Sequence, residues 1–286
     1  MGRLIQNISD TARWVAIFRA EESERPDPIF NDPFARRLAG EKGNQIANAI
    51  QFSRENSWSF TARTYLFDEY IKQHVDLGFD MIINLAAGLD ARPYRMTTLP
   101  AALKWVDIDL PGIQNEKQEI LADEKPVCEL QYIPLDLGDR KARQELFNEL
   151  NAKCKKALVV AEGLMIYLNY DQAAALASDL SSQKHFHRWV FDLQSPGLLK
   201  LAQEKMGAAV KEANAEFQFA PAEGEIFFLQ YGWKNLESKS KLKTAAQLNR
   251  LNEQMLGFTS YEPEGPKGDF PWSGVCLFEN TNKSDG

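Results

Sequence analysis

The chain is short of the groups that mark several large protein classes. Its 286 residues hold three cysteines, Cys128, Cys154 and Cys276. These are too few and too scattered for a disulfide framework or a zinc site, so they read as core thiols in a reducing compartment, and no metal is expected. No apolar stretch reaches the roughly 18 residues needed to span a bilayer, and the opening Met1-Gly-Arg-Leu-Ile-Gln-Asn lacks a signal-peptide core. Gln6 stands where a myristoylation signal wants Ser or Thr. The expectation is a soluble, cytoplasmic protein with no membrane attachment. Positive charge is also in deficit, with 33 Lys and Arg against 40 Asp and Glu and a net charge of −7, which argues against nucleic acid as a partner. The one lysine-rich stretch, Lys234 to Lys243, is interspersed with Glu237 and serines and reads as a solvated edge strand. No internal repeat is visible, and only the last few residues form a polar tail.

What is present is an ordinary apolar fraction of 44%, enough for a substantial core. From about Ser9 to His74 apolar residues recur at helical spacing, interrupted by Arg25-Pro-Asp-Pro-Ile-Phe-Asn-Asp-Pro-Phe34, whose three prolines predict a shaped loop. From Met81 onward, short β-rich runs at Met81 to Leu85, Trp105 to Ile108, Leu130 to Ile133, Ala157 to Ala161 and Trp189 to Leu193 alternate with helical stretches. That alternation predicts a mostly parallel sheet with helices on both faces and a ligand crevice at the carboxyl ends of the strands. After Ser195-Pro-Gly197 a helical run over Leu198 to Phe217 is expected, then Gly224 to Trp233, a helix around Thr244 to Leu256, and an apolar run at Val275 to Phe278 that reads as part of an antiparallel edge.

The chemistry gathers at the strand ends. The first strand opens into Ala86-Ala-Gly88-Leu-Asp90, where small residues let backbone approach a ligand. The turn lacks the three-glycine fingerprint of a dinucleotide site. Asp107 and Asp109 lie 19 and 21 residues beyond Gly88, about where a nucleoside-binding fold places its ribose acid. The third strand ends in Leu135-Asp136-Leu137, and the fourth in Ala161-Glu162-Gly163 followed by Tyr167. A single acid at a strand end is as often a helix cap or a solvated rim residue as a ligand contact. Four successive strand ends supplying a small residue and then three acids favour a binding crevice. His185 and His187 read as loop residues and His74 as a helix-end cap, so none is assigned to catalysis. Trp58, Phe60, Trp233 and Trp272 suit either an acceptor pocket or the core.

The succession Asn84-Leu-Ala-Ala-Gly-Leu-Asp-Ala-Arg-Pro-Tyr-Arg95, Val106-Asp-Ile-Asp-Leu-Pro111, Pro134-Leu-Asp-Leu137 and Ala161-Glu-Gly-Leu-Met-Ile-Tyr-Leu168 closely resembles the leucine carboxyl methyltransferase family, in particular its bacterial polyketide O-methyltransferase-like branch. The prelude Thr11-Ala-Arg-Trp-Val-Ala-Ile-Phe-Arg-Ala-Glu-Glu-Ser23 with Asp32-Pro-Phe-Ala35 looks like the same bacterial members, so the resemblance covers most of residues 9 to 195. It implies a class I, Rossmann-like methyltransferase fold with a seven-stranded sheet and S-adenosylmethionine as cofactor. It also implies a helical cap over residues 1–78 and a cofactor-binding core over 79–286, with an inserted helical segment at about 196–223, all in one structural domain. By the same resemblance Arg63 meets the methionine carboxylate, Ala86 and Gly88 line the turn beneath it, and Asp109 takes the ribose, with Asp107 beside it. Asp136 and Leu137 flank the adenine, Glu162 lies near the amino acid portion, and Tyr167 stands at the methyl-transfer end, so that Tyr167 and Glu162 are the candidate catalytic residues. Ala86 replaces the first glycine of the family's usual Gly-x-Gly turn. The cofactor suits the residues better than a nicotinamide does, because it has no pyrophosphate to cradle and its carboxylate calls for an arginine.

Four readings stay open at this point. They are an O-methyltransferase acting on a carboxylate or hydroxyl of a small molecule, a protein C-terminal carboxyl methyltransferase, a cofactor-binding protein without turnover, and, on fold analogy alone, a nicotinamide dehydrogenase.

Overall fold

Seven strands form one sheet in the order β3-β2-β1-β4-β5-β7-β6. A computed structural model describes residues 9–211 and 215–284 of the chain. The strands are β1 (Met81–Leu85), β2 (Lys104–Asp109), β3 (Glu129–Pro134), β4 (Ala157–Ala161), β5 (Phe186–Gln194), β6 (Trp233–Ser240) and β7 (Ser273–Asn280). The first five pair in parallel, and β7 runs antiparallel to both β5 and β6. The sheet is therefore mostly parallel, as expected. The expected antiparallel edge is relocated: β7 lies inside the sheet, and the edge is β6, which runs with the parallel set. Every residue of β1 and β4 is buried, as continuous apolar runs should be when both faces of a sheet are covered. The order reverses between β1 and β4, and that switch point is where an open α/β sheet leaves a crevice.

Four helices precede the sheet, α1 (Ser9–Ser23), α2 (Ala35–Ala49), α3 (Gln51–Glu55) and α4 (Ser57–Asp76). The crossovers are α5 (Arg92–Arg95), α6 (Pro111–Ile120), α7 (Arg140–Lys153) and α8 (Tyr170–Ser181). Their starts follow local chemistry. Pro111 occupies the first position of α6, where its missing N–H costs nothing. Asp139 caps α7, and Asn169 with Gln172 forms a capping box on α8. Then come α9 (Pro196–Lys211), α10 (Lys241–Gln247) and α11 (Glu253–Leu256). The helix expected over Leu198 to Phe217 is shorter than its pattern: residues 215–217 are not helical, residues 212–214 lie outside the described residues, and Phe217 and Phe219 are buried in irregular chain. The helix expected around Thr244 to Leu256 is broken in two, with Asn249 at φ 55° between the halves. No described helix is long and apolar enough to cross a membrane.

The core has three parts. One sheet face packs Trp189, Phe191 and Phe278 against Phe147 and Leu176 of α7 and α8 and against Phe228 of the 3-10 segment Gly224–Tyr231. The other packs Ile82, Trp105 and Val160 against Leu66, Phe67 and Ile71 of α4. The third joins Trp14, Ile17 and Phe18 of α1 to Leu38 and Ile46 of α2, Leu89 beyond β1, and Ala202 of α9. That third cluster holds the N-terminal helices over the carboxyl end of the sheet. Trp233 is a core residue, its indole donating to the Ala177 carbonyl at 2.9 Å. The three cysteines are free and buried.

Two of the three histidines are buried. His187 lies within β5 rather than in a loop, and His74, in the last turn of α4, is buried with its Nδ1 at 2.6 Å from the Tyr70 carbonyl. Burial pushes both imidazoles down to about 4, with Arg188 and Lys156 adding to the effect. In the unfolded chain they titrate near about 6.5, so below that pH the unfolded state binds protons that the folded state refuses. Folding stability is expected to fall as pH drops from about 6.5 to about 4 and to gain nothing from these groups above that window. Urea titrations of wild type and a His74→Gln/His187→Gln variant across the window check this, the variant showing the flatter profile.

Candidate active site

The carboxyl ends of β1 to β5, the turn after β1, and the inner faces of α1, α4 and α9 enclose a cavity of about 1100 Å³. That is somewhat above the roughly 300–1,000 Å³ typical of ligand pockets. Arg63, Ala86, Gly88, Asp109, Asp136, Leu137, Glu162 and Tyr167 all line it, and Asp107 does not.

The turn after β1 is shaped for close approach. Gly88 has φ 50°, and a Cβ placed on it would lie 3.1 Å from the Ala12 Cβ of α1, so both conformation and packing call for glycine there. Ala86 also has φ 50°, an uncommon state for a residue with a Cβ. Asp109, at the tip of β2, accepts from the Gly88 N–H at 2.6 Å and the Leu110 N–H at 2.7 Å. Burial raises its pKa, and the two backbone donors act against that. Two of about four lone-pair sites on the carboxylate are then used, which leaves the others for a pair of hydroxyls.

Asp107 sits two residues deeper in the same strand and is fully buried. It accepts from Trp105 Nε1 at 2.8 Å and Asn84 Nδ2 at 3.0 Å, and pairs with Lys117 Nζ of α6 at 2.7 Å. Helix α6 closes over it, so its place in the ligand site is corrected: it is a structural anion that ties α6 to the sheet. Asp136, at the end of β3, is exposed and accepts from the Gly138 N–H at 2.8 Å, and Leu137 beside it is half-buried.

A cluster of charges adjoins the turn. Glu162 is held by Arg63 Nε at 3.0 Å and by Arg92 at 2.8 Å. Arg63 also reaches Asp192 at 3.3 Å, and Arg92 reaches Asp90 at 2.8 Å and Asp68 at 2.6 Å. Asp192 further accepts from the Gly163 N–H at 2.6 Å and lies 3.8 Å from Lys241 Nζ. Burial works against charge on Arg63, but Asp192 and Glu162 outweigh it and raise its pKa. For Asp192 burial opposes ionisation, and Arg63 and Lys241 outweigh it, leaving the carboxyl below its ordinary value.

Apolar and aromatic side chains also line the cavity. Trp14, Trp58, Phe60 and Phe217 line it from the cap side, and Phe270 and Trp272 from the approach to β7. Tyr167 stands on the short 3-10 turn Met165–Tyr167 after β4. Its ring lies 5.6 Å from Phe217, its hydroxyl shares a hydrogen bond with Thr11, and burial raises its pKa.

Asp192 and Lys241 were not singled out in the sequence. Asp192 carries a readable signal, since Val190-Phe191-Asp192 repeats the acid after an apolar run that marks β2 to β4. Lys241 carries none. It belongs to the lysine-rich stretch read as solvated, yet it lies beyond the edge strand, in the first turn of α10, and is 8% exposed.

Removing the partner of a buried carboxylate costs about 3–5 kcal/mol, so Lys117→Met should lower unfolding free energy by about that much while leaving ligand binding at the rim intact. Ala86→Gly relieves a left-handed alanine and should add about 1 kcal/mol. Guanidinium chloride titrations measure both.

The profile described as leucine carboxyl methyltransferase matches residues 12–181. A relative from Mycolicibacterium paratuberculosis, provisionally named an S-adenosyl-L-methionine-dependent methyltransferase, is 34% identical over 176 residues, which is 57% of this chain and 58% of that protein. Another of the same provisional naming, from Mycolicibacterium smegmatis, is 27% identical over 79% of this chain and 82% of its own length. A solved structure provisionally described as a methyltransferase from Thermobifida fusca overlays with a TM-score of 0.60 at 14% identity, covering 98% of this chain and 96% of that one. A DUF574-family protein from Streptomyces avermitilis does so with a TM-score of 0.60 at 12% identity, covering 94% and 97%. These overlays concern the fold, and the sequence match decides the family: the chain belongs to the leucine carboxyl methyltransferase family of S-adenosyl-L-methionine-dependent methyltransferases.

Proposed function

We propose that this protein is an O-methyltransferase that carries the methyl group of S-adenosyl-L-methionine to a carboxylate or hydroxyl of a small molecule with an apolar, polyketide-like body. The observation that carries this reading is that charged and aromatic side chains line one cavity, with Tyr167 on its wall. The residues suit the cofactor. Arg63 offers a planar fork to a carboxylate, and Asp109 keeps unused lone pairs at the end of β2. Leu137 gives an adenine an apolar neighbour and Asp136 a polar one, while Glu162 faces the region of the amino acid portion. Gly88 lets the backbone approach without a side chain in the way.

The cofactor supplies a methyl group on a sulfonium sulfur. The protein's task is to hold the acceptor oxygen in line with that methyl, at about 3–3.5 Å, and to keep water out. The Tyr167 hydroxyl, fixed by Thr11, is suited to orient the acceptor. A carboxylate acceptor needs no base, whereas a hydroxyl acceptor must lose a proton to a nearby group.

Calorimetry with S-adenosylhomocysteine is expected to show binding by wild type and a loss of at least about tenfold in Asp109→Ala, with circular dichroism showing that the variant is still folded. No binding by wild type overturns the reading. Labelled methyl offered with metabolite and protein extracts should appear in the metabolite fraction. Label in protein instead supports a protein carboxyl methyltransferase, and binding without any transfer a protein that only senses the cofactor.

A further inference from the structure

The charged groups of the rim form a single chain of alternating sign: Asp90, Arg92, Glu162, Arg63, Asp192, Lys241. The successive separations are 2.8, 2.8, 3.0, 3.3 and 3.8 Å, and every member lines the cavity. Three cations face three anions. The terminal cation differs from the others. Among the described residues Lys241 Nζ has Asp192 as its one ion-pair partner, at 3.8 Å, and no acceptor lies within hydrogen-bond distance, although its side chain is only 10% exposed. Its own helix does not account for it, since α10 contains no acid and its first turn is where a helix disfavours positive charge.

Arg63 gives Nε to Glu162 and Nη1 to Asp192, so each of the two donor pairs of its fork already has one member in use. A carboxylate that grips either pair with both of its oxygens must displace one of them. Glu162, if released, retains Arg92 at 2.8 Å. Asp192, if released, retains the Gly163 N–H at 2.6 Å and whatever charge Lys241 carries. We propose that Lys241 is a positioning residue for the cofactor: it takes over Asp192 and thereby frees one edge of Arg63 for the cofactor's carboxylate. This rests on the reading, given above, that Arg63 meets that carboxylate. With Lys241 neutral, Asp192 keeps its hold on Arg63, and the cluster carries an excess negative charge where a further carboxylate must enter.

The groups around Lys241 leave it as the one that titrates near neutrality. It faces Asp192 of β5, Arg63 of α4, Glu162 beyond β4 and Cys276 of β7. Burial brings Lys241 down to about 8, opposed by Asp192 and assisted by Arg63. Burial also raises the Cys276 thiol far out of range, Asp192 is held ionised, and Arg63 keeps its charge.

Calorimetry on the full chain from about pH 6.5 to about pH 9.5, with S-adenosylhomocysteine and with 5′-methylthioadenosine, tests the proposal, because the second ligand keeps the adenosyl thioether and lacks the amino acid carboxylate. Affinity of wild type for S-adenosylhomocysteine should fall about tenfold as pH rises through about 8, while that for 5′-methylthioadenosine stays level. Lys241→Arg, which holds its charge throughout, should keep the neutral-pH affinity and show only the shallower fall due to the ligand's own α-amino group. Lys241→Met should weaken S-adenosylhomocysteine about tenfold at pH 7 and leave 5′-methylthioadenosine unchanged. The proposal is overturned if Lys241→Arg follows the wild-type pH profile, or if Lys241→Met weakens both ligands alike. An Arg63→Met variant that binds S-adenosylhomocysteine as wild type does removes the reading beneath it, and so identifies which of the two has failed.

Discussion

Glu162 stands between two arginines from different parts of the chain, and much of the architecture depends on that arrangement. Arg63 comes from the helix before the sheet and Arg92 from the short crossover after β1, while Glu162 itself follows β4. A carboxylate in such a place is costly to desolvate, and the cost is offset only where both oxygens have cationic donors in good geometry. The two arginines meet that condition. They are in turn neutralised by Asp68, Asp90 and Asp192, so that no member of the network is left without an opposite charge.

The same network connects the cap to the crevice. Arg95 joins Arg92 on Asp68 of α4, and Arg19 of α1 pairs with Asp32 at 2.9 Å while donating to the Leu89 carbonyl in the turn after β1 at 2.6 Å. The proline-shaped loop that carries Asp32 thus serves as an anchor. The helices over the crevice are fixed to the turn beneath it by buried, directional contacts as well as by the apolar cluster of Trp14, Ile17 and Phe18. A cavity wall built this way holds side chains such as Phe60 and Arg63 in place, the guanidinium lying 5.5 Å over the phenyl ring.

Much of this was legible in the chain. The apolar runs of β1 and β4, the small-residue turn at Ala86 to Gly88, and the acids at Asp109, Asp136 and Glu162 were readable because strand ends in a parallel sheet fall on one rim whatever the details of packing. Asp107 was misjudged for a physical reason. Spacing from Gly88 locates the tip of β2 to within a couple of residues, and it does not say which acid protrudes beyond the covering helix and which is closed in beneath it with Lys117. His187 was misjudged because a polar residue next to an aromatic one reads as a strand boundary, whereas its ring is sheltered in the layer that includes Phe79, 6.3 Å away.

The sequence by itself determined the parallel α/β framework, the family and the ordered row of rim acids, because local periodicity and the fixed geometry of β-strand-to-helix turns leave few alternatives. Only the tertiary structure decided that β7 enters between β5 and β6, that Asp107 is inside and Asp109 outside, and that Lys241 completes a charge chain begun at Asp90. Those outcomes depend on which residues distant in the chain share a desolvated volume. Coulombic and packing energies act through that space, and one-dimensional spacing carries no record of it.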